Sequence, residues 1–287
     1  MVQTIGNPLS WGAQALGGAG RAANDVATHL GSEEDIRPTV LPLDIHDIST
    51  ALKLGWQDVM RFRSDVFALV VVYPMIGFAL AFLAFEQALL PMLFPMAAGF
   101  ALLGPVACIG MYEISRQNEE TGSASWGTAL SALRSRVIGP VMVLGFFMLV
   151  WFMLWMAAAF AIYAITLGPA MPISTMGFIS DVLTTSSGWI MILLGVGVGA
   201  VFAFVVLLVS AVGFPMLIDK PVGLPIAVAT SVRAVRLNLK PMLLWGLVVA
   251  AMLALATITV FLGLVLVLPW LGHATWHLYR LTIAFDG

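Results

Sequence analysis

The chain has 287 residues, 61% of them hydrophobic and 10% charged, with a formal net charge of -2. That composition excludes an ordinary soluble domain, and the near-neutral balance, with no basic tract, excludes a nucleic-acid partner. The single cysteine, Cys108, excludes an intramolecular disulfide and sits inside an apolar block, where a small packing role is expected.

Residues 1–45 form a cytoplasmic, partly disordered N-terminal segment in this reading. NPLSWGAQALGGAGRAANDVATHLG is small and Gly-rich, and GSEEDIRPTVLP is acidic and broken by proline. The segment lacks the basic start and apolar h-region of a cleavable signal. Residues 46–287 then form a polytopic membrane domain, because several blocks approach the ~20 apolar residues needed to cross a bilayer.

The first span is expected over about 65–85, with Ser64 or Asp65 at its start, and the second over about 92–112. Pro95 and the pair Gly104-Pro105 predict a bend or broken turn in that second helix. The third, about 138–167, is long enough to tilt, and the fourth covers about 188–214. The intervening stretch from Gly168 to Gly188, with Pro169, Pro172 and Asp181, reads as a loop. The last apolar stretch has two solutions. It is either one oversized helix or a pair, about 241–258 and 263–283, divided by a tight turn near Thr259 to Gly263.

Charge favours the pair. The basic residues fall in the N-terminal part (Arg21, Arg37, Lys53, Arg61, Arg63), then at Arg116, Arg134 and Arg136, then at Lys220, Arg233, Arg236 and Lys240, and finally at Arg280. The alternate connections carry none. This is the positive-inside pattern, and only a paired last stretch keeps Arg280 with the other cations. The expected fold class is therefore an all-α integral membrane protein, a six-span helical bundle in a bacterial inner membrane with both termini cytoplasmic.

Three segments share a small-plus-apolar pattern ahead of an apolar block: STALKLGWQD from Ser49, GTALSALRSR from Gly127 and AVATSVRAVR from Ala227. The third and fifth spans also begin alike, GPVMVLG and KPMLLWG. Three two-span units, each entered through a short amphipathic interfacial helix, account for the chain. In the last segment Val228, Val232, Val235 and Leu239 share a helical face that excludes Arg233 and Arg236.

The sharpest candidate for chemistry is LGHATWHLYR, where His273 and His277 lie four apart on one helical face. Such a pair can ligate a metal or haem as a cofactor. No HExxH glutamate or Cys cluster completes a metal site, and the commoner arrangement bonds the two rings to carbonyls or carboxylates. Trp270, Trp276, Tyr279 and Arg280 are then expected as membrane-interface anchors. In the fourth span GVGVG provides a GxxxG spacing, Gly195 to Gly199, expected as a close-packing contact between helices.

Ionisable groups fall only at span ends (Asp65, Glu86, Glu113, Asp219), which disfavours an ion-coupled carrier. No nucleophile motif or phosphate-binding glycine loop is present, so no catalytic residue is assigned.

ALKLGWQDV at Ala51, YPMIG at Tyr73, LFPMAAGFALLGPVACIGMYEISR at Leu93, FPMLIDK at Phe214 and VLPWLGHATWHLYR at Val267 together resemble the bacterial, mainly alphaproteobacterial, integral-membrane family known as domain of unknown function 2189. The likeness spans about Asp44 to Ile283, the last string being its most specific part. It implies a multi-span inner-membrane protein and transfers no catalytic residue. The resulting expectation is a non-catalytic accessory, assembly or stabilising component of a larger membrane complex, respiratory or photosynthetic. The alternative is a permease or lipid-handling protein for a neutral or amphiphilic substrate, using the Pro-kinked second and sixth helices.

Overall fold

The computed structural model describes residues 38–62, 75, 82, 87–125, 127, 138–170, 172–259 and 262–285. The expected first span over 65–85 and the surface helix expected at Gly127 to Arg136 therefore fall almost wholly outside the described residues. So does most of the N-terminal segment.

Strand β1 (Pro38–Val40) pairs antiparallel with β2 (Ile283–Phe285), Thr39 opposite Ala284. Helix α1 (Ile45–Arg61) follows, its first turn closed by the Asp47 carboxylate accepting from the Asp44 N–H at 2.7 Å. A 3-10 turn at Gln87–Met92 leads into the second span, which is broken as its prolines predict. It runs as α2 (Leu93–Leu102), α3 (Gly104–Ala107) and α4 (Ile109–Thr121). Pro105 stands in the first turn of α3, where a backbone N–H has no acceptor within that helix.

Then come α5 (Ile138–Thr166), α6 (Thr175–Thr184) and α7 (Ser186–Ser210). Helix α6 occupies the stretch expected as a loop. Ser174 and Thr185 each cap a helix there, their hydroxyls accepting from Gly177 N and Gly188 N at 3.0 Å. The remaining helices are α8 (Gly213–Asp219), α9 (Leu224–Leu237), α10 (Leu239–Ile258) and α11 (Leu264–Thr282). The buried stripe of α9 is Ala227, Thr230, Ser231, Ala234 and Val235. That is the small and hydroxylic side, about one residue away from the valine face expected from the sequence.

The last apolar stretch is a helical pair. Asn238, at the head of α10, accepts from Leu43 N and donates to Leu41 O, and Leu41 N donates to Thr282 O at the foot of α11. Both ends of the pair therefore meet the same short segment, so the chain goes out along α10 and returns along α11. At 1.5 Å per residue α10 is roughly 30 Å long, the thickness of a hydrocarbon core, whereas the second half of α11 carries buried polar residues, His273 and Thr282 among them.

Three stretches among the described residues are long and apolar enough to cross a membrane: Ile138–Thr166, Ser186–Asp219 and Leu239–Thr257. Trp155 on α5 ties two of these segments to α2. Its indole donates to Pro95 O at 2.8 Å, and its ring edge fills the space that a Cβ on Gly199 would need. Gly195 has no such neighbour among the described residues, where a Cβ would meet nothing within 4 Å, so within them the expected GxxxG contact is made by Gly199 alone, under one aromatic ring.

Candidate functional site: a buried polar cap

At one end of the bundle α1, the end of α4, α8, α9, the sheet and the end of α11 form a cap. The described cations all belong to it or to its edges, whereas the opposite turns, 87–92, 166–188 and 258–264, carry none. Within the cap lies a chain of polar side chains drawn from α1, α4, α8 and α11.

Its centre is Asp58, an acid on the inward face of α1. One oxygen, Oδ2, accepts from Ser115 Oγ at 2.6 Å and from His277 Nε2 at 2.9 Å, and His273 Nδ1 stands 3.7 Å away. Ser115 has one proton, which it gives to the carboxylate, so its oxygen accepts from His273 Nδ1–H at 2.7 Å. That fixes the His273 tautomer and leaves Nε2 as a buried nitrogen with no hydrogen-bond partner among the described residues. Burial alone pushes the Asp58 carboxyl up. The hydrogen bonds from His277 and Ser115, helped by the electrostatic influence of the two imidazoles, more than reverse this, holding it below the ordinary value of 3.8.

The network continues outward through α11. Trp276 Nε1 donates to Glu119 Oε1 at 3.0 Å, and Arg280 Nε reaches Glu119 Oε2 at 3.1 Å. Asp219, at the end of α8, accepts from Tyr279 OH at 2.7 Å and from Arg280 Nη1 at 3.3 Å. Alongside, Arg116 grips the buried Glu113 through two nitrogens at 2.7 and 2.9 Å, and this pairing raises the already high guanidinium pKa.

These contacts correct the expected anchors. Trp276 and Tyr279 are both 0% exposed, so neither ring reaches a headgroup layer. Their polar tips are turned inward onto carboxylates because those acids come from other helices. Trp270 is half-buried, its indole donating to Leu52 O at 2.8 Å and its ring set 4.9 Å from that of Trp56. Arg280 remains partly exposed at the edge of the cap.

His273 and His277 do share a face, as their spacing requires, and the shared face is the one that receives Asp58. The side chains sequence reasoning missed are Asp58, Ser115, Glu119 and Asp219. A Ser, a His and an Asp are in contact here, but not in a hydrolase arrangement. The serine donates to the aspartate rather than to the histidine, and it is 0% exposed. No group of three or more His, Cys, Asp or Glu among the described residues could hold a metal ion.

What the arrangement does is mechanical. Gly55 on α1 lies so close to Ala274 that a Cβ would stand 2.5 Å from Ala274 N, and Gly272 likewise receives Met111, 2.9 Å from where its Cβ would be. Helix α11 is thus pressed between α1 and α4, with the polar chain fixing its rotation.

The apolar helices and the capped end together define an all-α integral membrane protein. Residues 93–219 match the family model described as predicted integral membrane protein (DUF2189), domain of unknown function 2189. The match holds the Leu93 to Arg116 string but stops short of ALKLGWQDV, YPMIG and VLPWLGHATWHLYR, so it is narrower than the expected likeness. No curated protein and no solved structure matches the chain significantly.

Proposed function

We propose that this is a non-catalytic inner-membrane component that docks laterally on a larger membrane complex, such as a respiratory or photosynthetic one, as an accessory or stabilising subunit. The observation that carries this is helix α7. In the stretch Ser186–Asp219 only 6% of the most apolar window is buried within the chain, against 28% in Leu239–Thr257. A crossing helix with so few fully buried side chains has an open face on which another protein's helix can pack. The ionisable groups of the cap, by contrast, are used on one another.

The topology that goes with this reading has six spans and both termini in the cytoplasm. Its support is the β1–β2 pair, since a chain that leaves and returns to one side crosses an even number of times. A permease for a neutral or amphiphilic substrate is the weaker alternative. The break in the second span is filled by packing, with Cys108 Sγ against Leu268 O at 3.7 Å and Met111 on Gly272. The histidine pair, in this reading, holds α1 and carries no cofactor.

The test is the native mass after extraction in a mild detergent, with neighbours identified by mass spectrometry. A defined assembly larger than the 30.7 kDa chain, containing other membrane subunits, is expected. Recovery of free protein alone, from cells in which the candidate complexes remain intact, overturns the reading.

A further inference from the structure

Lys220 stands over the Phe285 ring at 5.8 Å and Lys53 is exposed on α1; the other described cations of the cap fall into two groups. Arg116 and Arg280 are paired with carboxylates, and Arg61 donates to Gly122 O. Among the described residues Arg233, Arg236 and Lys240 make no ion pair or hydrogen bond, and all three are exposed. They lie within eight consecutive residues, two at the end of α9 and one in the first turn of α10. Arg233 and Arg236 are three apart, hence neighbours on the helix surface.

The corner that carries them is built rather than loose. Asn238 between the two helices is buried and holds Leu41 O and Leu43 N at 3.0 and 2.8 Å. The acids on that adjoining chain, Asp44 and Asp47, are engaged at the start of α1. The exposed apolar side chains beside the cations are Leu237, Leu239 and Leu243. They continue directly into the candidate span Leu239–Thr257, so the cations stand where hydrocarbon gives way to headgroups.

We propose that the α9–α10 corner binds the headgroup of an anionic phospholipid, its phosphate taken by Arg233, Arg236 and Lys240 and its acyl chains lying along Leu237, Leu239 and Leu243. Guanidinium groups suit this because they present paired donors to phosphate oxygens. Each cation near an anionic surface favours the contact by about fivefold at moderate salt. The apolar shoulder distinguishes a lipid from free phosphate, which would gain nothing from the leucines.

The experiment reconstitutes the full chain in vesicles of equal phosphatidylglycerol and phosphatidylcholine and reads retained lipid by native mass spectrometry. The wild type should retain phosphatidylglycerol preferentially. R233Q/R236Q/K240Q should lower that preference by at least about tenfold, and R233K/R236K should keep most of it. Raising salt on the wild type should weaken the preference without any substitution, which covers the case of a triple variant that fails to fold. Inorganic phosphate at millimolar concentration should not compete. An equal lipid ratio in wild type and variant, or a wild-type preference indifferent to salt, overturns the proposal. Displacement by phosphate alone would assign the corner to a soluble anion and overturn the lipid.

Discussion

The cap and the α5–α7 pair sit in one molecule under opposite rules. In the cap, carboxylates from three elements meet donors on α11, and almost every polar tip has a named partner, His273 Nε2 being the exception. Along α5 and α7, large side chains such as Phe146, Phe160, Leu193 and Val196 face outward. The two helices are joined mainly by rings, Trp151 donating to Phe202 O at 3.1 Å and Trp155 lying over Gly199. The comparison teaches where a membrane protein writes its identity. Lipid tails are as apolar as leucine, so the spans gain little by being particular, whereas a buried carboxylate tolerates only the arrangement that satisfies it.

The cap should therefore be the brittle region, and its centre the most brittle point. Asp58→Ala leaves His277 and Ser115 without their common acceptor in a buried seam. The loss expected is about 3–5 kcal/mol, read as a fall in the thermal midpoint of the detergent-solubilised protein. If the midpoint stays put, the cap is not the organising centre. Acid probes the same group without mutation. The folded carboxyl is held below its unfolded value, so its contribution is complete above the ordinary carboxylate range and is lost as pH falls through the depressed value, below about 4. A wild-type stability that does not fall as pH drops from 5 to 3, or that falls as steeply in Asp58→Asn, would contradict that sign.

Steric contact should matter next. Gly55→Ala places a methyl 2.5 Å from Ala274 N, which α11 can accommodate only by moving away from α1. A cost of about 1–3 kcal/mol is expected, with earlier proteolysis between α1 and the membrane domain. Trp276→Phe is milder, since it keeps most of the ring and deletes the donor to Glu119. About 1 kcal/mol should be lost, measurable as a shift in the unfolding midpoint, and the Arg280 pairing should persist.

How far this was legible in the sequence follows from the range over which each element is decided. Apolar runs and the one-sided cations located α5, α7, α10 and α11, and the turn between the last two, because those signals are local or global but never pairwise. The break after Leu102 was legible from Gly104-Pro105. Helix α6 was overlooked although Ser174 and Thr185 both stand in capping positions. The histidine pair was visible by its spacing of four. Its partner was not, since Asp58 lies 219 residues from His277 and looks from sequence like any acid on a surface helix. Trp276 and Tyr279 were placed at the interface for the same reason, because nothing near them in sequence announces Glu119 or Asp219.

The smallest effect is the one that separates the two regions most cleanly. Gly195 and Gly55 are both glycines in helices, and the sequence singles out Gly195 through its GxxxG spacing. The structure reverses their importance, because among the described residues a Cβ at Gly195 meets nothing within 4 Å. Gly195→Ala should leave the stability of the isolated protein within about 0.5 kcal/mol, or raise it slightly, since alanine favours a helix interior by up to about 1 kcal/mol. Measured beside Gly55→Ala in the same detergent, the two values should differ in sign or by more than the scatter of the method. A loss at Gly195 that appears only in the native membrane, and not in the isolated chain, would place another protein's helix against that open face of α7. Equal losses at both glycines in isolation would instead mean that the packing around α7 is tighter than its exposed side chains show.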